Sequence, residues 1–330
     1  VNMNNFYFQS RGIADFAGDF VRHGGRTLLI DQVFKQSDWS KELRKCYDLY
    51  PELRIVFTGS SVMRLKEENP ELNGIVKSYN LRGFSFREFI NLQTGNSFKP
   101  YTLDEILRNH EHIIKQILPK VSPMKYFQDY LHHGFYPFFL ENRNFTENLL
   151  KTMNMTTEVD ILLIKQIELK YLTKIKRLFY QLAVEGAKAP NVSQLAEEIN
   201  TSRATVMNYI KYLADARLIN MIYPTGQEFP KKPSKVMMHN SNLMYAIYPI
   251  QIDKQEVMET FFVNSLWKDH KVSQTGKDHY FIVDGEKKFR ICDAQSPNKV
   301  RNNPDIIYAR YNTEVGKDNR IPLWLLGFLY

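Results

Sequence analysis

The sequence is poor in cysteine: 330 residues hold two, Cys46 and Cys292. They stand far apart with no metal-type neighbours, which argues against a disulfide framework or a thiolate metal cluster and suits a reducing, cytoplasmic setting. No apolar run approaches ~18 residues, so no membrane span is expected. No basic segment followed by an apolar core opens the chain, so no signal peptide is visible. A G-x-x-x-x-G-K-[ST] loop, the glycine-rich turn that wraps nucleotide phosphates, is also missing. The two Gly-Lys pairs, Gly276-Lys277 and Gly316-Lys317, lack its glycine spacing and hydroxyl partner. His132-His133 and the His110-x-His112 pair make poor metal sites, because side chains one or two positions apart on a helix diverge. Structural roles suit them better.

What is present describes a globular chain. Hydrophobic residues make up 43% and charged residues 24%, and the length suffices for two or three domains. The net charge of +8 is uneven: residues 161–235 hold 12 Lys/Arg against 6 Asp/Glu, a local +6. That excess reads either as a solvated helical surface or as a module facing nucleic acid.

Residues 1–95 alternate strands and helices. "VNMNNFYF" alternates like a strand already under way, as though the chain began inside a domain. Ile13, Phe16, Ala17 and Phe20 share a helical face that Gly24-Gly25 ends. Thr27 to Ile30 read as a buried strand running into Asp31. In 38–51, Trp39, Leu43, Cys46 and Tyr47 share a face. A second strand covers 53–61 and a third 76–81. The βαβ rhythm argues a parallel sheet. Residues 100–190 are helical, with stripes at Leu103, Ile106, Leu107, His110, Ile113, Ile114 and Ile117, and at Ile161, Ile164, Ile167 and Leu172; "HHGFYP" (132–137) breaks the run. Residues 191–223 give a short helix, a turn, a longer helix and an extended piece, the outline of a winged helix-turn-helix. From 256 a helix leads into short strands.

A strand that ends in Asp delivers a carboxylate to a sheet edge. Many nucleotide hydrolases end it in Asp-Glu, the Asp holding Mg²⁺ and the Glu polarising water. Here the pair is Asp31-Gln32. "TGSS" ends the neighbouring strand, placing Thr58, Ser60 and Ser61 where a small hydroxyl senses a γ-phosphate. On the longer helix of 191–223, Arg203, Thr205, Asn208 and Lys211 lie on the outer side, within reach of bases or phosphates. Lys231, Lys232 and Lys235 follow closely after the expected wing and would track phosphates of duplex DNA. Winged helices also serve as contacts between proteins.

The stretch from "LLIDQVFKQSDW" through "IVFTGSS" to "GFSFREF" (28–89) closely resembles a group of prokaryotic AAA-type ATPases. Trp39-Ser40, Tyr47 and Tyr50-Pro51 add to the likeness. So do "HHGFYP" (132–137), "KPSKVMMHNSNLMYAI" (232–247), "ETFFVNSL" (259–266) and "IPLWLLGFLY" (321–330). The resemblance implies an α/β chain: a partial parallel-sheet ATPase core over 1–95, a helical connector over 96–190, a winged helix over 191–250 and a small α+β, restriction-nuclease-like domain over 251–330. It implies ATP and Mg²⁺ as cofactors, with Asp31 on the metal and Ser60 or Ser61 near the γ-phosphate. In such proteins the phosphate loop precedes the point where this sequence starts, so the expectation is a truncated or degenerate site that does not bind ATP by itself. Gln32 cannot accept a proton from water. Asn73-Gly74-Ile75 stand where relatives carry arginine. Tyr280 and Arg290 stand where nuclease acids would, leaving Glu259 alone. The expected roles are binding or regulation, with a protein partner, self-association or duplex DNA as partners, and no membrane.

Overall fold

The computed structural model of the chain describes residues 1–63, 65, 68–141, 144–275, 280–295 and 303–330. In chain order its regular elements begin with α1 (Ile13–Arg22), β1 (Thr27–Ile30), α2 (Trp39–Leu49) and β2 (Arg54–Phe57). Helices follow: α3 (Phe86–Thr94), α4 (Leu103–Ile117), α5 (Met124–His133), α6 (Phe145–Met155), α7 (Leu162–Ile164), α8 (Leu172–Glu185), α9 (Val192–Glu198) and α10 (Arg203–Asp215). Then come β3 (Ile219–Ile222), β4 (Lys235–Met238), α11 (Ser241–Ile247) and α12 (Lys254–Leu266). The last strands are β5 (Val272–Gln274), β6 (Phe281–Val283), β7 (Lys287–Asp293), β8 (Ile306–Tyr311) and β9 (Arg320–Pro322). The chain is thus a mixed α/β protein. It divides into one compact unit of Val1–Leu81, Met155–Leu172 and Asp215–Arg217, and a second of Arg82–Asn154, Thr173–Ala214 and Leu218–Tyr330.

In the first unit β1 and β2 pair in parallel, Thr27 opposite Arg54 through Ile30 opposite Phe57. Period-two alternation sends Leu28 and Ile30 into a core with Ile13 and Ala17 of α1 and Leu43 and Cys46 of α2. The other face carries Leu29 and Val56, which are 61% and 56% exposed. The sequence led us to expect both faces of this sheet to be covered, and here one is open. Four further expectations are corrected. Residues 1–8 are not a strand: Asn2 makes a single parallel bridge with Asp31, and Phe6–Gln9 form a 3₁₀ turn capped by Asn5. Asparagine side chains there take the backbone donors that a ladder needs, Asn2 Oδ1 accepting from Asn4 N at 2.8 Å. Residues 76–81 form no strand, and Tyr79 and Leu81 are 78% and 93% exposed. Tyr47 turns outward from α2. The stripe over 161–172 is not one helix either: a π-helical turn (Thr156–Ile161), α7 and a 3₁₀ turn (Leu169–Tyr171) follow one another, with Gln166 at φ +50° between them.

The second unit is built from amphipathic helices with strong start signals. Ser85 with Glu88 and Thr102 with Glu105 make capping boxes at α3 and α4. On α4 the expected stripe is buried from Leu103 to Ile117, His110 included, except for the half-buried Leu107. Gly134 ends α5, as the break at 132–137 implied. α9 and α10 are joined by a short turn in which Asn200 has φ +49°. The antiparallel pair β3–β4 follows, Ile219 opposite Met238. α12 packs on a five-stranded sheet of order β5-β6-β7-β8-β9. Its first pairs are antiparallel and β7–β8–β9 are parallel. Phe262 of α12 meets Phe281 and Phe289 at ring distances of 5.3 and 5.2 Å. Among the described residues no helix is long and apolar enough to cross a membrane.

Candidate functional site

At the C-terminal ends of β1 and β2 the chain assembles a polar edge. Parallel pairing puts Asp31 and Thr58 side by side, one residue beyond the last paired positions. Thr58 Oγ1 donates to Asp31 Oδ1 at 2.5 Å and accepts from Gln32 N at 2.9 Å. Asn2 Nδ2 donates to the other carboxylate oxygen at 2.6 Å. Gln32 sits in the left-handed region at φ 60°, and its Oε1 accepts from Asn4 Nδ2 at 3.4 Å. Asp31, Gln32 and Thr58 are therefore brought together as expected from sequence.

Ser60 and Ser61 are aimed elsewhere. Ser60 Oγ donates to Asp160 Oδ2 at 2.7 Å, and Ser61 Oγ to the Ala216 carbonyl at 3.2 Å. Asp160 comes from the π-helical turn a hundred residues later in sequence. Burial pushes its carboxyl above the usual range, while the Ser60 hydrogen bond and the charge of Lys35 pull it partly back. Lys35 also donates to Asn4 Oδ1 at 3.0 Å. Asn2, Asn4, Lys35 and Asp160 were missed from sequence. Asn2 and Asn4 hid in a stretch read as a strand. Asp160 has no local signal at all, because only tertiary contact makes it a neighbour of the edge.

Does this edge fit Mg-ATP? Both oxygens of Asp31 already accept hydrogen bonds from neutral side chains, and no second carboxylate shares its hydrogen bonds. Among the described residues no cluster of three or more His, Cys, Asp or Glu side chains is arranged to hold a metal ion. Gly276-Lys277 lies outside the described residues, and Lys317 bridges to Arg320 in a β-turn-like hairpin.

The second candidate region is α9–turn–α10 with the β3–β4 pair. Arg203 and Asn208 are exposed on α10 and Lys211 is half-buried. Thr205 is tied to Ser202, Oγ1 to Oγ at 2.8 Å, which caps the helix. Lys231 and Lys232 are exposed. Lys235, expected to track phosphates, is instead paired inside the unit: its Nζ lies 2.6 Å from Glu259 Oε2, with the side chains 13% and 16% exposed. Gln255 Nε2 donates to the other oxygen of Glu259 at 3.1 Å. Much of the basic excess is likewise engaged at home. Lys165 meets Glu68 and Asp215, Lys170 meets Glu168, and Lys188 meets Glu185. The guanidinium of Arg290 lies 6.0 Å from the Tyr280 ring centre.

The remaining candidates are structural. His132 packs on Tyr245, and burial holds the His133 ring below its usual pKa between Phe89 and Phe145. Burial pushes the Cys46 thiol up to about 11 and Cys292 upward as well, so neither is a ready nucleophile.

With this geometry in place, comparison with known proteins adds context. The model of a family described as AAA domain matches residues 1–90, and that of a Domain of unknown function (DUF8612) matches residues 124–254. Two relatives from Methanocaldococcus jannaschii are both described as uncharacterized. MJ1637 is 27% identical over 205 residues and MJ1544 is 23% identical over 209. Each match takes in 60% of this chain but 43% of the relative, so the chain spans less than half the length of either. No solved structure matches. The N-terminal ninety residues are thus similar to AAA domains.

Proposed function

We propose that the chain is an ATPase-related protein with a degenerate nucleotide edge, acting in binding or regulation rather than in efficient turnover. One observation carries this reading: within the region similar to AAA domains, parallel strands end in Asp31 and Thr58, hydrogen-bonded to each other, with Gln32 where a proton-accepting carboxylate is expected. An amide neither accepts a proton from water nor carries the negative charge that orients it, so the edge lacks its base. Calorimetry of this chain with Mg-ATP tests the reading. We expect no micromolar isotherm and no turnover, in the wild type or in Gln32→Glu. A clear micromolar isotherm would sink the degenerate-site reading.

The second reading is a winged-helix DNA-binding module over 191–250, with the ATPase-like core as scaffold. It is favoured by the order helix, turn, helix, antiparallel strand pair and by Arg203, Asn208, Lys231 and Lys232 at the surface. The internal pairing of Lys235 weighs against it and supports the alternative of a contact with protein. Anisotropy with a random duplex at two salt concentrations separates the two.

A further inference from the structure

The outer face of the five-stranded sheet, on the side away from α12, gathers positive charge. Alternation along β7 buries Phe289 and Ile291 toward α12 and sends Lys288, Arg290 and Cys292 to the other side. Parallel register fixes their neighbours. Arg290 stands beside Tyr308 of β8 and, beyond it, Arg320 of β9, while Cys292 stands beside Arg310. From the spacing of strands, the Cα atoms of Arg290 and Arg320 lie about 10 Å apart, and Arg310 lies one row further along, about 7 Å away. The three guanidiniums converge on one thiol: burial raises the Cys292 pKa, and the charges of Arg310, Arg290 and Arg320 each pull it back. Lys288 is exposed and the three arginines are partly exposed. No strand position on this face carries a carboxylate. Asp293 alternates to the α12 side, where its register partner Tyr311 donates to Gln255 Oε1 at 3.1 Å. Elsewhere the chain answers a partly buried cation with an acid, as Lys235 with Glu259. Here, among the described residues, Arg290 has the Tyr280 ring, Arg310 has the Ala294 carbonyl, and none of the four cations meets a carboxylate. Like charges on adjoining strands destabilise a sheet, so folding by itself gives no reason to collect them. An anion does.

We infer that this face binds the phosphate backbone of single-stranded nucleic acid without reading its sequence. Three observations carry the ligand class. First, the cations are spread over three strands and two or three rows, too far apart to close on one phosphate but suited to a run of them. Second, three of the four are arginines on regular strands, and the planar guanidinium fork matches phosphate oxygens in pairs. Third, nothing on the face is left to read a base. Tyr308 is buried between the arginines with its hydroxyl accepting from Asn303 N at 3.2 Å, and Tyr280 is engaged by Arg290. The patch is narrower than a major groove, about 12 Å wide, so it reaches only one backbone of a duplex. A flexible single strand can lie diagonally across Arg290, Arg310 and Arg320 and meet all three. The face shares no residue with the Asp31 edge, with α9–α10 or with Lys231 and Lys232, so its failure leaves both readings above standing.

The test is fluorescence anisotropy of the full chain with a labelled oligothymidylate of about 20 residues, at several salt concentrations. We expect a Kd of about 1–100 μM at low salt, and a slope of log K against log salt of about −2 to −3, from three or four neutralised phosphates at ~0.7 each. Arg290→Gln with Arg320→Gln should weaken binding at least about tenfold and flatten the slope by about 1.4. Arg290→Lys with Arg320→Lys keeps both charges and should keep the slope, which separates a role in binding from one in holding the sheet together. Removing Lys231 and Lys232 should leave oligothymidylate binding unchanged. No binding at low salt, indifference to the glutamine pair, or a lysine pair as defective as the glutamine pair would overturn the inference. So would a duplex that binds more tightly than the single strand and is lost with Lys231 and Lys232, an outcome that would instead favour the winged-helix reading.

Discussion

Two of the parallel strand pairings of this protein, β1–β2 and β7–β8, make opposite use of the same hydrogen-bond pattern. β1–β2 stands as a pair with one face in a core and Leu29 and Val56 open on the other. β7–β8 lies inside five strands, with Phe289, Ala309 and Tyr308 all under 5% exposed. Parallel sheets are ordinarily covered on both faces. The first sheet carries the Asp31–Thr58 edge on thin packing, while the second carries dense packing around residues such as Phe289. Recognition of a site and stability of its scaffold are thus separate properties here.

The sharpest way to break that comparison is in the cores. Phe289→Ala removes a fully buried ring from between α12 and the sheet and should cost about 3–5 kcal/mol. Leu29→Ser, on the open face, should stay within about 0.5 kcal/mol. Denaturant unfolding of both variants decides the matter, and equal losses would mean that the β1–β2 face is covered in solution. Next in size is the Lys235–Glu259 pair. Glu259→Ala leaves a half-enclosed ammonium without its partner and should cost about 3 kcal/mol. The same preparation tests nuclease chemistry: with Mg²⁺ or Mn²⁺ neither it nor the wild type should nick plasmid DNA.

Smaller effects probe the strand ends. Thr58→Val removes one donor and one acceptor between Asp31 and Gln32 and should cost about 1–2 kcal/mol. Two aspartates, the exposed Asp284 and the half-buried Asp160, should then respond to acid with opposite signs. Burial alone would push Asp284 up, but His270 and the Lys271 amide outweigh it and hold the carboxyl below its ordinary range. Its folded pKa is depressed, so its contribution to stability is present above the unfolded value near 4 and is lost as pH falls through the folded one. Asp160 is raised by burial, so its ionised form is a cost above the folded pKa that disappears below the unfolded value. At neutral pH Asp284→Asn should therefore destabilise and Asp160→Asn should be neutral or slightly stabilising, read as shifts in unfolding midpoint. Smallest of all is the salt dependence of any duplex binding: removing Lys231 and Lys232 together should flatten the slope of log K against log salt by up to about two units.

Local chemistry determined a good deal by itself. The stripe of α4, the capping pairs Ser85–Glu88 and Thr102–Glu105, the stop at Gly134 and the strand running into Asp31 all follow from periodicity and end signals over a few residues. So does the meeting of Asp31 with Thr58, because two parallel strands that end together must place their next side chains side by side. Apolar alternation alone misled at 1–8 and 76–81, where asparagines took the backbone donors or no partner strand lay alongside. Only the tertiary structure decided that Ser60 turns to Asp160, that Lys235 is spent on Glu259, and that Asp284 pairs with His270. Each of these joins side chains separated by 14 to 100 positions, and the chain between them sets no preference. The free energy that selects such pairs comes from burial and packing of whole elements, which no short stretch of sequence contains.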